Sequence, residues 1–351
     1  MKLFIVYSVL FALISANYSC KKELNAPPKN AKVDINTVVD QQSAQVALNG
    51  VYFRLAEVNT NNTTDWTDHE VFPGMLTGVL GYAFGAFPDQ LNDNVNASYP
   101  TSLWSENYLV INAANGVING VNGLPDNDFT ANRKKEILGE ARFLRAYADF
   151  KLLLYFGEWY KPGSPYGVLL RDELSTLSNI PKARSSVNDS YTAILADLDF
   201  AILNAPSSNP NYHATKWAAT ALKMRVLINR GQPQDYLDVI TLGNSILQSG
   251  IYSLEPNLKD LFYSKGLNSK EVIFGIKPQP GQEIYYYNLS RNYYPFASAG
   301  YVATKTLKDL LQNDPRGTWM VGPASRYQAY SPDTYYFTKM HRLWRFVISD
   351  L

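Results

Sequence analysis

Apolar positions along the chain fall into two regimes. In one, they recur every three or four residues; in the other, aromatic side chains sit among Asn, Gly, Pro and Asp with no sustained period. The first regime predicts amphipathic helices and the second predicts ordered loops. Ala44, Leu48, Val51 and Leu55 give one buried stripe over 40–56. Trp104, Tyr108, Ile111 and Val117 give another over 102–121. The segment "GEARFLRAYADFKLLLYFGEWYKP" (139–162) is apolar almost all round, with Phe143, Tyr147, Phe150 and Leu154 in one line and Gly139, Ala141, Ala146 and Ala148 leaving room for a neighbouring helix. Its Arg142, Arg145 and Asp149 share a side at i, i+3 and i+7, so pairing along the helix is expected. Asp128 or Thr130 is placed to cap its start, and Gly157 and Pro162 to end it. We read this element as the spine of the fold and not as a site.

Further helices are predicted over 186–206, 214–231 and 234–250, the last two joined by a "GQP" turn into a hairpin of about tetratricopeptide size. No second copy follows at a fixed period, so the scaffold is helical and only partly solenoid. A short strand is expected at "EVIFGI" (271–276) and a helix at "TKTLKDLLQND" (304–314). The irregular regime occupies 59–100 and most of the chain beyond Tyr252. Twelve of the 25 tyrosines lie between Tyr252 and Tyr336, with "IYYYNLSRNYYPF" the densest run. The expected class is therefore all-α, a tetratricopeptide-like helical scaffold with a loop-rich irregular lobe.

At the N-terminus, "MKLFIVYSVLFALISANYSC" places one Lys before an apolar run and ends on the chain's single Cys, Cys20. This is a signal-peptide pattern over 1–19, too short for a spanning helix. A lone Cys at that point resembles a lipobox, in which it becomes the lipidated first residue; Asn17 departs from the usual Leu, and the alternative is a chance thiol beside an ordinary cleavage point. Residues 20–39 carry mixed charges, two prolines and no apolar period, which reads as a tether holding the domain at 40–340 off a membrane.

Charge excludes more than it suggests. With 32 Lys and Arg against 31 Asp and Glu, there is no nucleic-acid footprint. The three histidines, His69, His213 and His341, make no metal-ligand spacing, and no nucleophile elbow, P-loop or dinucleotide fingerprint is present, so no cofactor, metal or catalytic residue is assigned. "TDWTDHE", with Asp65, Asp68 and Glu70, is the best local acid cluster, and "DQLNDNVN" lacks the Gly and final Glu of an EF-hand. What remains is aromatic, amide-rich loop on a helical frame. Trp and Tyr faces stack on the C–H faces of sugars while Asn, Asp and Arg pair with hydroxyls, but the same composition suits a protein interface. The aromatic candidates for ligand contact are Trp66, Tyr82 and Phe84 from the first irregular segment, and Tyr286, Tyr293 and Trp319 from the second.

Taken in order, "GEARFLRAYADFKLLLYFG", "ARSSVNDSYTAILADLDFAILNAP", "ATKWAATALKMRVLINRGQ", "SILQSGIYSL", "KEVIFGI" and "NDPRGTWM" resemble the SusD/RagB family of outer-membrane nutrient-binding lipoproteins. The resemblance implies a lipid anchor at the cell surface, no catalysis, and capture of an oligosaccharide or polysaccharide for a TonB-dependent outer-membrane transporter. Members of the same fold that bind peptide or serve as protein-interaction scaffolds are the alternative. "GEWYKP" departs from the family's usual turn. The family also continues into further helices with an Arg-Ala-Glu segment where this chain reads "HRLWRFVISDL", so 341–351 is expected to be an atypical tail. The apolar faces of "ALKMRVLI" and "FKLLLYF" are then expected to be partly uncovered.

Overall fold

The computed structural model describes residues 37–56, 72–82, 99–277, 301–322 and 335–337. Helix α1 (Gln41–Ala56) begins at a reciprocal cap, in which Ser43 N donates to Asp40 Oδ1 (2.7 Å) and Asp40 N donates to Ser43 Oγ (3.0 Å). Its buried stripe is the expected one, Ala44, Leu48, Val51 and Leu55, widened by Tyr52. After α2 (Phe72–Leu76) and strand β1 (Leu80–Tyr82) come two 24-residue helices, α3 (Tyr99–Asn122) and α4 (Arg133–Phe156).

Helix α4 is the centre of the helical body. It packs against α1 and α3 on one side and, on the other, against α5 (Val187–Asn204) and α6 (Lys216–Arg230). Fourteen of its 24 residues are buried, so it has no fully solvated face. The small residues do what their size allows: a Cβ on Gly139 would lie 2.5 Å from the backbone nitrogen of Ala205, so only glycine lets α4 approach the end of α5. Neither expected cap is used at its start. Thr130 instead donates its N–H (2.7 Å) and hydroxyl (3.1 Å) to Gln41 Oε1 on α1.

The charges of α4 also pair differently from the expectation. Arg145 grips Asp197 of α5, Nε to Oδ2 at 2.6 Å and Nη2 to Oδ1 at 2.8 Å, and donates from Nη1 to Asn115 Oδ1 of α3 at 2.7 Å. Asn115 in turn donates to the carbonyls of Arg171 and Glu173. Pairing therefore runs between helices and binds three of them to one loop. Asp149 Oδ1 is left without a hydrogen-bond donor among the described residues. Burial, with the Asp197 charge adding to it, pushes that carboxyl up to about 8. A second buried acid, Glu140, accepts from Tyr52 of α1 (2.7 Å) and Arg133 (3.1 Å).

Ser186 and Thr215 cap α5 and α6 by accepting from Asp189 N (3.0 Å) and Ala218 N (3.2 Å). Helix α6 ends at Gly231 (φ +68°), a left-handed position suited to glycine, and Pro233 starts α7 (Pro233–Gln248). Arg230 clamps Asp235 across this turn (Nη2 to Oδ1 2.5 Å). Burial alone would raise the Asp235 carboxyl, but the hydrogen bonds from Arg230 and Gln232 N hold it below the usual range. This is the predicted hairpin.

One expectation is corrected here. "EVIFGI" forms no strand; it lies against the helices, with Phe274 meeting Phe143 edge-on at 5.1 Å and Gly275 N donating to Asn211 O (2.8 Å). In "FKLLLYF", Phe150, Leu152 and Leu153 are buried and Leu154, Tyr155 and Phe156 half-buried; in "ALKMRVLI", Leu222, Val226 and Leu227 are buried while Ile228 stays 52% exposed, so these faces are partly uncovered.

A second, smaller core unites the irregular segments. Strand β1 pairs antiparallel with β2 (Tyr301–Ala303), Leu80 opposite Ala303 and Tyr82 opposite Tyr301. Helix α8 (Lys305–Leu310) follows, then β3 (Val321–Gly322) pairs with β4 (Tyr336–Phe337), and a bridge from Ala303 to Tyr335 joins the two ladders. Met75, Leu80, Ala303, Val321 and Phe337 form the buried centre. Residues separated by more than 200 positions thus belong to one lobe.

Candidate functional site

The described part of this lobe holds one aromatic cluster with an open polar edge, and its position follows from two tight loops. The first is closed at its base. Ser253 N donates to Lys270 O (3.3 Å), while Glu255 accepts from Ser269 Oγ (2.6 Å) and pairs with Lys265. Those partners, Lys265 first, hold the Glu255 carboxyl below its usual range. Within the loop, Asn257 caps the turn Leu258–Asp260, and Leu261–Lys265 follows as a π turn that ends at Gly266 (φ +51°). Such wide turns displace side chains from the ordinary helical positions and recur at functional sites. Here they bring two sequence neighbours, Phe262 and Tyr263, to the same indole.

That indole is Trp319, presented by "NDPRGTW". Asp314 Oδ1 accepts from Arg316 N (2.8 Å), and Pro315 begins a 3₁₀ turn ending at Thr318. Hydrogen bonds from the Arg316 side chain and backbone push the Asp314 carboxyl down to about 2, so this clamp stays ionised at any physiological pH. A Cβ on Gly317 would lie 2.2 Å from Leu311 O, which excludes other residues from the turn. The half-buried Trp319 ring then lies 6.0 Å from Phe262 and 5.8 Å from Tyr263, both tilted, with Lys259 Nζ 5.9 Å from its centroid. Beside it opens a depression of about 360 Å³ lined by Asn257, Lys259, Asp260, Tyr263 and Ser264. Apolar ring faces next to amide, hydroxyl, carboxylate and ammonium groups offer stacking and hydrogen bonding to one ligand.

Of the sequence candidates, Trp319 is placed at this cluster. Tyr82 is in β1, opposite Tyr301, and so reaches the same lobe. Trp66, Phe84, Tyr286, Tyr293 and Cys20 lie outside the described residues, as do Asp65, Asp68 and Glu70. Phe262 and Tyr263 were not among the expected contacts. Their signal in sequence was the adjacent aromatic pair after a capped turn, in the tyrosine-rich half of the chain.

Among the described residues, no three His, Cys, Asp or Glu side chains gather to hold a metal, and no helix is long and apolar enough to cross a membrane. His213 stacks on Tyr52 at 4.4 Å and lies 3.8 Å from Glu140, a structural position inside the helical body.

The arrangement of helical body and irregular lobe is that of a known class. Residues 23–228 match the SusD-like family described as starch-binding and associating with the outer membrane, and the chain belongs to that family. It is 26% identical over 295 residues to a SusD-like protein of Bacteroides ovatus, covering 79% of this chain and 49% of that protein. It is 25% identical over 274 residues to SusD-like protein P38 of Formosa agariphila, covering 75% and 50%. The chain thus spans about half the length of the curated relatives it matches. Among solved structures, a SusD superfamily protein of Bacteroides vulgatus superposes with TM-score 0.67 at 17% identity, covering 86% of this chain and 68% of the other. A putative sugar binding protein of the same species gives 0.65 at 19%, with the same coverage. These structural likenesses bear out the helical, tetratricopeptide-like fold.

Proposed function

We propose that this chain is a cell-surface, lipid-anchored glycan-binding protein. It captures oligosaccharides without turning them over and presents them to a TonB-dependent transporter. The observation that carries the reading is the Trp319 cluster. A tryptophan held by a glycine-dependent turn stands with Tyr263 and Phe262 beside a polar depression, on the scaffold of a family described as starch-binding. Stacking supplies affinity across the C–H face of a pyranose, and Asn257, Lys259, Asp260 and Ser264 supply donors and acceptors for its hydroxyls. The pairing of β1 with β2 supports a ligand surface drawn from both irregular segments, with Trp66, Tyr82, Phe84, Tyr286 and Tyr293 as its further aromatic candidates. Cys20 would carry the lipid, with residues 20–39 as the tether.

Incubating the purified chain with a panel of α-glucan, β-glucan, galactan and mannan oligosaccharides tests the reading. Retention of at least one glycan with its length unchanged is expected. Shortened products would establish an enzyme instead, and no binding to any glycan would favour a protein-interaction scaffold.

A further inference from the structure

Asp149 is 4% exposed, and its Oδ1 has no donor among the described residues. Arg145, one turn before it on α4, directs its guanidinium elsewhere. Nε and Nη2 donate to Asp197 of α5, and Nη1 donates to Asn115 Oδ1 of α3 at 2.7 Å. Asn115 Nδ2 donates in turn to the carbonyls of Arg171 and Glu173, each at 3.0 Å. A second α3 side chain, Tyr108, donates to Leu169 O (3.2 Å) and accepts from Leu169 N (3.0 Å). The loop 169–182 is therefore tied to the body by two α3 residues, one bonded to Arg145 and the other feeling the Asp149 charge.

A guanidinium N–H binds a carboxylate more strongly than a neutral amide. While Asp149 carries its proton, Asn115 is an adequate acceptor for Nη1. Once Asp149 ionises it is an anion one helical turn away, in a site with little water to replace a donor. Asp197 keeps a cation in either case. Arg142, on the same side of α4, has Nη1 3.7 Å from Asp197 Oδ1 and a buried Nε without an acceptor among the described residues. The seam of Arg142, Arg145 and Asp149 thus has two sets of partners, and the pairing along the helix expected from the sequence is the second.

The charges acting on Asp149 are Asp197 from α5 and Arg145 from its own helix; Tyr108 faces it from α3, and among the described residues α1 and α6 contribute none. Asp172 acts on Arg145, and Arg171 and Arg184 act on Tyr108, so the loop's own charges surround the same point. Burial first, and Asp197 second, push the Asp149 carboxyl up to about 8, which puts its ionisation in the mildly alkaline range.

We infer that Asp149 is a pH-sensitive latch for the loop 169–182: loss of its proton draws Arg145 Nη1 from Asn115 to Asp149, and Asn115 then releases the carbonyls of Arg171 and Glu173. The loop is braced within itself, Arg171 donating to the carbonyls of Asn179 and Ile180, and Asn179 to Glu173 Oε1 and Leu174 O. Its release carries with it a polar depression of about 230 Å³ lined by Arg171, Glu173, Asn179, Pro181 and Lys182.

Hydrogen exchange of the full chain at about pH 6 and about pH 9, corrected for the intrinsic rise in rate, reads the latch through the amides of 169–179, with those of α1 as the internal reference. Protection of the loop should fall at least tenfold at the higher pH while α1 keeps its own. Asp149→Asn, which cannot ionise, should hold the loop protected at both values. Asn115→Ala should leave it unprotected at both, with α1 again unchanged. Loop protection in the native chain that does not change with pH would overturn the inference, as would an equal loss in Asp149→Asn, a protected loop in Asn115→Ala, or α1 loosening in step with the loop.

Discussion

Arg145 and Asp197 face each other with two parallel hydrogen bonds, 2.6 and 2.8 Å, across the contact between α4 and α5. Asp197 is buried, so removing it leaves a guanidinium with little water to replace its partner. Asp197→Ala should destabilise the chain by about 3–5 kcal/mol, the usual cost of breaking a buried pair. Replacing both members, Arg145→Met with Asp197→Leu, should recover a large part of that loss. Urea unfolding followed by circular dichroism checks this, and equal losses in the single and double variants would contradict it.

Asp149 predicts a pH dependence of stability. Its carboxyl titrates near 3.8 when unfolded and is pushed up to about 8 by burial and by Asp197, against a lowering from Arg145. Tyr108 on α3 feels the same carboxyl. Between those two values the folded chain holds a proton that the unfolded chain has released. Stability from this group is therefore complete below about pH 4 and falls as pH rises toward about 8. Asp149→Asn should flatten that slope and raise the urea midpoint at neutral pH. Parallel pH profiles for the two chains would show that Asp149 is not the group responsible.

Two glycines should respond in opposite directions. Gly139→Ala drives a methyl into the backbone of Ala205 and should cost about 1–3 kcal/mol, the range for overpacking. Gly50→Ala, in the exposed part of α1 with nothing within 4 Å, should stabilise by about 0.5–1 kcal/mol through helix propensity. Thermal melts of both variants decide it.

Much of the helical body is legible in the sequence because an apolar stripe at helical spacing has one stable outcome, burial. The stripe from Ala44 to Leu55 and the line from Phe143 to Leu154 are buried where the spacing puts them, apart from the half-buried Tyr147 and Leu154. Long-range choices are not legible in that way. Thr130 has the chemistry of a cap, but Gln41, 89 positions away, takes its hydrogen bonds. Arg145 has Asp149 one turn along, yet the better partner is on another helix. "EVIFGI" has a strand's composition, and its apolar side chains are used against Phe143 and the helices around it. In the lobe, Trp319 stands out by residue type and motif, whereas Phe262 and Tyr263 join it through a π turn that no periodicity encodes.

The lipid anchor makes a separate prediction. In a host with the acylation machinery, fed a labelled fatty acid, the chain should take up label and Cys20→Ala should lose it. Label retained by the variant would remove Cys20 from that role.

Whether Trp319 stacks on a bound glycan is read by titration calorimetry of a retained oligosaccharide, malto-oligosaccharides first, into the chain and into Trp319→Ala. Affinity should fall about tenfold or more, equivalent to about 1.4 kcal/mol, with the melting temperature held. An unchanged affinity in a variant that melts earlier would show that the indole only packs beneath its loop.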